Sequence, residues 1–271
     1  MASEDKPNRL PWQPLTFKGI ARLGQAPLSR LMAVQCVVAG IVAASVLTTI
    51  LISWKPVITE TLLQLPDQGV IRNGTLAWFG PEPVRLAHNS FLSVVVELAP
   101  NGSLGLSADL QLEFGRRELR SRSILGYLAV PYPVDWIIPA NRKQLEPWWG
   151  AWNWPVMAGL VLGVFFGLQV LWWLLAVVYA WPVRLIAFYS DRQLSLFQSF
   201  KLAAASLLPG ALLFSFCLVA YAIQRINLIE LLLAHVLHLV IGWVYVVAAP
   251  FRLPKLGSAP LKSKSENPFD G

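Results

Sequence analysis

Charge is scarce in this sequence. Only 14% of its 271 residues are Asp, Glu, Lys or Arg, where soluble domains carry about 25%. That shortage argues against an ordinary soluble enzyme. Cysteine is also scarce: Cys36 and Cys217 are the two present. They cannot build a disulfide framework, and neither belongs to a Cys-x-x-Cys metal motif. Three histidines leave little material for zinc or haem. What remains is apolar. Hydrophobic residues make up 55% of the chain and the mean hydropathy is +0.54, so a disordered chain is excluded.

A membrane helix needs roughly 20 mostly apolar residues to cross ~30 Å of hydrocarbon. Four runs qualify: 31–53, 156–180, 201–223 and 228–249, none with a charge in its central turns. Buried helices of a soluble protein would show a polar stripe at the helical period, and these do not. The expected fold is a membrane four-helix bundle with an inserted small β-rich extracytoplasmic domain. Residues 1–30 then form a cytoplasmic leader, 54–155 the outer domain, 181–200 an amphipathic cytoplasmic connector, 224–227 a short outer turn, and 250–271 a disordered cytoplasmic tail. The first run is longer than a signal-peptide core of about 7–15 residues, so a retained anchor is expected.

Orientation follows from lysine and arginine beside the spans. The leader, the connector with Lys201, and the tail together hold twelve basic residues and five acidic ones. The 54–155 loop holds nine of each. Both termini are therefore expected in the cytoplasm of a bacterial inner membrane. The excess charge reads as membrane orientation and attraction to anionic lipid, with no nucleic-acid partner, because no basic stretch is interleaved with stacking aromatics. Trp148, Trp149, Trp152 and Trp154 at the outer end of the second span, and Tyr179 with Trp181 at its inner end, form an aromatic belt.

The outer domain carries two Asn-Gly turn signals, at Asn73-Gly74 and Asn101-Gly102, each between apolar runs, which is a strong hairpin signature. Residues 109–114 alternate polar and apolar as a half-buried strand does, and 125–132 read as another strand. A small antiparallel sheet of four to six strands is expected, preceded by a short helix over 56–65. Glu97, Asp109 and Glu113 form either a carboxylate pair or a solvated strand face. Arg116, Arg117, Arg120 and Arg122 read as a salt-bridged surface, or as a patch for lipid headgroups or an anionic polymer. No nucleophile-and-base set and no metal set is recognisable, so no catalytic, cofactor-binding or metal-ligating residue is assigned.

Inside the spans, Gly159, Gly163 and Gly167 form a glycine zipper, a groove for another helix of the bundle or for a second copy. Gly40-x-x-x-Ala44 is the natural partner. Pro209-Gly210 predicts a kink in the third span. Intramembrane ionisable groups are functional candidates by default: here Glu230, which Arg225 could pair, and His235 with His238 on one helix face. They serve either as structural polar contacts or as a proton site. Gln169 lies at the depth of His238, and a Gln169–His238 contact is expected.

The connector and the start of the third span read Ser190-Asp-Arg-Gln-Leu-Ser-Leu-Phe-Gln-Ser-Phe-Lys201-Leu-Ala-Ala-Ala-Ser-Leu-Leu-Pro209-Gly. Ser190 and Gln193 fit a capping box. A basic amphipathic lead-in, a small-residue run and a proline resemble the bacterial membrane proteins distantly related to the Yip (Ypt-interacting) family. The span count and the β-rich insert depart from that pattern, and the resemblance implies no activity. The leading expectation is a non-enzymatic scaffold or accessory subunit, in contact with the lipid bilayer, whose outer domain binds a membrane or envelope protein. The alternatives are a transporter or channel component using the third and fourth spans, and a membrane enzyme acting on lipid or an envelope precursor.

Overall fold

The computed structural model describes residues 15–99, 104–192 and 194–255. Seven α-helices and eight strands follow in chain order among them. Helix α1 is Phe17–Gln25, α2 Leu28–Thr49 and α3 Lys55–Gln64, with a π-helical turn at Ile50–Trp54 between the last two. Strands β1 to β8 are Gly69–Arg72, Thr75–Trp78, Val84–His88, Leu92–Val96, Leu110–Phe114, Glu118–Ser123, Gly126–Pro131 and Ile138–Pro139. Helix α4 is Arg142–Tyr189, α5 Leu196–Ser206, α6 Leu208–Ala222 and α7 Leu228–Ala248. Four helical stretches are long and apolar enough to cross a membrane: Leu28–Gln64, Arg142–Tyr189, Leu196–Ala222 and Leu228–Arg252.

The chain divides into two compact units. One is helical and comprises Met1–Ala43, Gly163–Cys217 and Leu231–Gly271. Its core joins Ile20 of α1, Leu31 of α2, Ala176 and Val183 of α4, Leu202 to Ala205 of α5, and Val246 of α7. Helix α1 lies inside what reads as a leader. Thr16 Oγ1 caps it by accepting from the Gly19 N–H at 3.0 Å, and Ile20, Ala21 and Gly24 share a buried face turned to α5. The approach is close: a Cβ on Gly24 would stand 2.9 Å from Leu202 Cβ. Lys201, buried, donates from Nζ to the Ala26 carbonyl at 2.6 Å, which places its charge at the negative end of α1.

The third hydrophobic run is interrupted where the kink is expected. Helix α5 stops at Ser206 and α6 begins at Leu208, because Pro209 has no N–H to give and its ring obstructs the preceding turn. The capping box sits at Ser195 and Gln198, whose side chains and N–H groups bond reciprocally. Ser190 instead closes α4, its hydroxyl donating to the Ile186 carbonyl at 2.6 Å. Gln193 lies outside the described residues.

The second unit is Ala44–Leu162 with Leu218–Glu230. Its strands form two sheets, β2-β1-β8 and β3-β4-β5-β6-β7, which share an apolar core with α3. Asn73 and Gly74 make the expected hairpin, both at positive φ (53° and 68°), with Arg72 opposite Thr75. The second hairpin does not form. Strand β4 runs parallel to β5, and 104–106 are not a strand; Asn101 and Gly102 lie outside the described residues. The reason is visible in β4, which is buried at all five positions and serves as an inner strand between β3 and β5. Strands covered on both faces lose the polar alternation that a hairpin arm keeps. The sheet is therefore mixed rather than antiparallel.

Candidate functional site

The α7 face carrying His235 and His238 looks onto a cavity of about 290 Å³. Three other helices complete its wall: α2 through Val42, α4 through Leu168 to Tyr179, and α6 through Ala211 and Phe214. Trp172 and Val42 are buried, whereas Leu171, His235 and Leu239 are exposed. The cavity is thus a cleft open at the side of the bundle. Its rings are grouped: the two imidazoles lie 4.6 Å apart, and Phe214 meets His235 edge-on at 5.2 Å and His238 at 5.1 Å. The His238 Nδ1 bonds to the His235 carbonyl. A carbonyl only accepts, so Nδ1 carries the proton in that bond; a neutral imidazole bonded in this way has Nε2 as its acceptor.

Gln169 does not join this group. Its amide donates to Cys36 Sγ at 3.8 Å, and the expected contact with His238 is replaced by that one. Gln169 on α4 and His238 on α7 thus have different neighbours. A second polar contact between α2 and α4 is Trp173 Nε1 donating to Gln35 Oε1 at 3.2 Å, with Gln35 fully buried. A glutamine in the middle of an apolar run was the signal available for it.

The glycine zipper is uncovered. A Cβ built on Gly159, Gly163, Gly167 or Gly40 meets no heavy atom within 4 Å, so among the described residues no helix enters the groove. The close approach lies on α6 instead, where a Cβ on Gly210 would collide with the His238 carbonyl oxygen. Among the span glycines singled out in the sequence, the one beside the helix break is the one that packing needs.

Glu230 is a helix cap. Its carboxylate accepts from the Asn227 N–H at 2.8 Å while Asn227 Oδ1 accepts from the Glu230 N–H at 2.9 Å, and it forms no ion pair with Arg225 within 4.0 Å. Asp109 accepts from the Tyr221 hydroxyl at 2.6 Å, and Gln224 donates to Ser90 at 2.7 Å. Phe91 meets the Tyr221 ring at 4.9 Å, so the β3–β4 turn and the start of β5 are seated on the end of α6. Glu113 is fully buried, not solvated, and is held by Arg120 at 2.6 Å and Arg122 at 3.2 Å. Burial opposes the charge of Arg120, but its hydrogen bonds to Glu118 and Glu113 outweigh that and raise its pKa. Glu97 is buried as well and accepts from the Leu104 N–H at 3.4 Å. Among the described residues no group of three His, Cys, Asp or Glu stands close enough to hold a metal ion.

At the other extreme of exposure is β7, the last strand of its sheet. Tyr127 (58% exposed), Leu128 (62%) and Val130 (49%) stand in the open, on both faces of the strand. Exposed Arg116 and Arg117 lie beside its far end, where the Tyr132 N–H donates to the Arg117 carbonyl at 3.0 Å. Comparison of the chain with protein-family models, curated proteins and solved structures finds no match.

Proposed function

We propose that this chain is a four-span protein of a bacterial cytoplasmic membrane, with both ends in the cytoplasm. Its outer β domain recruits an envelope or membrane-complex protein, and it acts by binding rather than by catalysis. The four long apolar helices support the spanning reading. So does the spacing of the aromatic belt: Trp154 and Trp181 are 27 residues apart on α4, about 41 Å at 1.5 Å per residue, which matches the ~40–45 Å of a bilayer with its headgroups. The twelve basic residues on the terminal side support the orientation.

The observation that carries the binding role is the open β7 edge. An edge strand offers unpaired N–H and C=O groups, and proteins normally blunt such edges with charge or cover. Here the edge carries leucine, valine and tyrosine. We infer that its occupant is an extended apolar segment of another envelope-exposed protein, added as a sixth strand, with acidic residues where it meets Arg116 and Arg117. The carboxylates singled out in the sequence are already engaged: Asp109 by Tyr221, Glu113 by two arginines, Glu230 by its own helix start.

A photo-crosslinking side chain at Leu128 tests this in native membranes. The expected result is one adduct of discrete mass, lost when Tyr127→Lys and Val130→Lys are added, and not formed from the same side chain at Phe166. Absence of an adduct, or an adduct of twice the chain mass alone, overturns the reading.

A further inference from the structure

We propose that the cleft between α4 and α7 binds a ligand of the quinone class: a flat conjugated ring bearing oxygens, carried on an apolar chain. This goes beyond partner recruitment by the outer domain and rests on the membrane reading alone. The cleft opens sideways at the middle of α7, the depth reached only by molecules dissolved in the hydrocarbon. Its volume, about 290 Å³, lies near the lower end of the ~300–1,000 Å³ of small-molecule sites. Ala211 and Gly242 leave the room, and large side chains frame it.

The choice of ligand follows from the lining. Trp172, Tyr179, Phe214, His235 and His238 give the cleft five rings. Flat rings gain from edge-to-face and offset contacts with a flat ligand, beyond the area they bury. An acyl chain makes no such contact, and it brings no oxygen to this depth. It would leave His238 Nε2 without a donor, and a polar atom removed from water without a partner is costly. The hydroxyl of a reduced, quinol-type ring donates to that nitrogen, and Tyr179 is the other lining ring with a hydroxyl. The lining thus combines apolar rings with a few polar ones, which suits a ring that bears oxygens. Binding is the whole of the proposal; no electron transfer is included.

The test uses the full chain in phosphatidylcholine nanodiscs and a photoreactive azidoquinone, with adducts mapped by peptide mass spectrometry. Adducts are expected within 168–179 and 235–242, displaced by excess decylubiquinone and not by dodecanol. Ala211→Phe, which fills the cleft, and His238→Leu, which removes the acceptor, should each weaken decylubiquinone binding at least tenfold. His238→Gln, which keeps a side-chain acceptor, should retain most of it. Thermal unfolding of each variant separates loss of the site from loss of the fold, and a variant that fails to fold is replaced by Leu239→Trp at the rim. Adducts scattered along all lipid-exposed faces, equal displacement by dodecanol, or binding unchanged in both Ala211→Phe and His238→Leu would overturn the proposal. Failure of the β7 crosslink leaves this result untouched, and the reverse also holds.

Discussion

Tyr132 shows how a single side chain can report on the outer domain. Its hydroxyl donates to the Gly115 carbonyl at 3.1 Å, and burial pushes its pKa well above the ordinary tyrosine range. The unfolded chain loses this proton near pH 10, the folded chain only at higher pH. The stabilisation is therefore complete below pH 10 and is lost as pH rises beyond it. We expect the melting temperature of the outer domain to fall more steeply between pH 9.5 and 11 in the native sequence than in Tyr132→Phe, by circular dichroism. The phenylalanine variant should itself lose about 1 kcal/mol at neutral pH with its hydrogen bond. The Arg120–Glu113 pair gives a second residue-scale expectation. Breaking a buried pair from one side strands the other charge and costs about 3–5 kcal/mol, so Arg120→Leu should destabilise strongly. Arg120→Leu with Glu113→Leu should recover part of that loss, since position 113 then holds no buried charge short of a partner. An equal loss in single and double variants would show that the arginine matters through its packing alone.

At the scale of elements, helix packing is decided by which glycine faces a neighbour. Gly163→Leu points into open space and should leave detergent stability within about 0.5 kcal/mol of the native chain. Gly210→Leu drives a side chain into the α7 backbone and should unfold the bundle at a much lower temperature. A large effect at Gly163 would show that a second copy or another protein covers the α4 groove. A double-mutant cycle of Gln169→Leu with His238→Leu should give no coupling, because the two side chains have separate partners. Gln35→Leu with Trp173→Phe should couple at about 0.6–1.7 kcal/mol, the usual range for helix–helix hydrogen bonds in membranes. Much of this level was hidden from the sequence. Spacing along one helix shows that three glycines share a face, but it does not show what the face meets. Matching depth brought Gln169 and His238 together on paper, whereas rotation about the helix axes assigns Gln169 to Cys36. The Pro209 interruption was legible because its cause is covalent and local.

For the whole molecule the decisive expectation is topology. With 54–155 outside, insertion into eukaryotic microsomes should glycosylate Asn73, an exposed residue in the sequence Asn-Gly-Thr. Acceptor sites engineered into the two tails should stay unmodified. Modification of either tail would reverse the orientation drawn from the basic residues, and with it the assignment of β7 to the envelope.

The sequence by itself determined the four apolar helices, the inserted β-rich region, the β1–β2 turn and the break at Pro209. Each of these depends on composition over ~20 residues or on a local backbone preference. Only the tertiary structure decided what those elements meet. The parallel β4–β5 pair depends on which strands lie next to each other, and β3 and β6 were not separable from loops in a stretch rich in arginine and proline. The sequence leaves Glu113 open between a carboxylate pair and a solvated strand face, because a carboxylate on an alternating strand ordinarily faces water; two arginines from the neighbouring strand make its burial affordable. The short α1 carries its apolar face in the sequence, but its basic residues resemble a charged leader, and only its packing on α5 shows that the face is buried. The histidine cleft needed four helices from distant parts of the chain, and no spacing along one of them encodes a cavity.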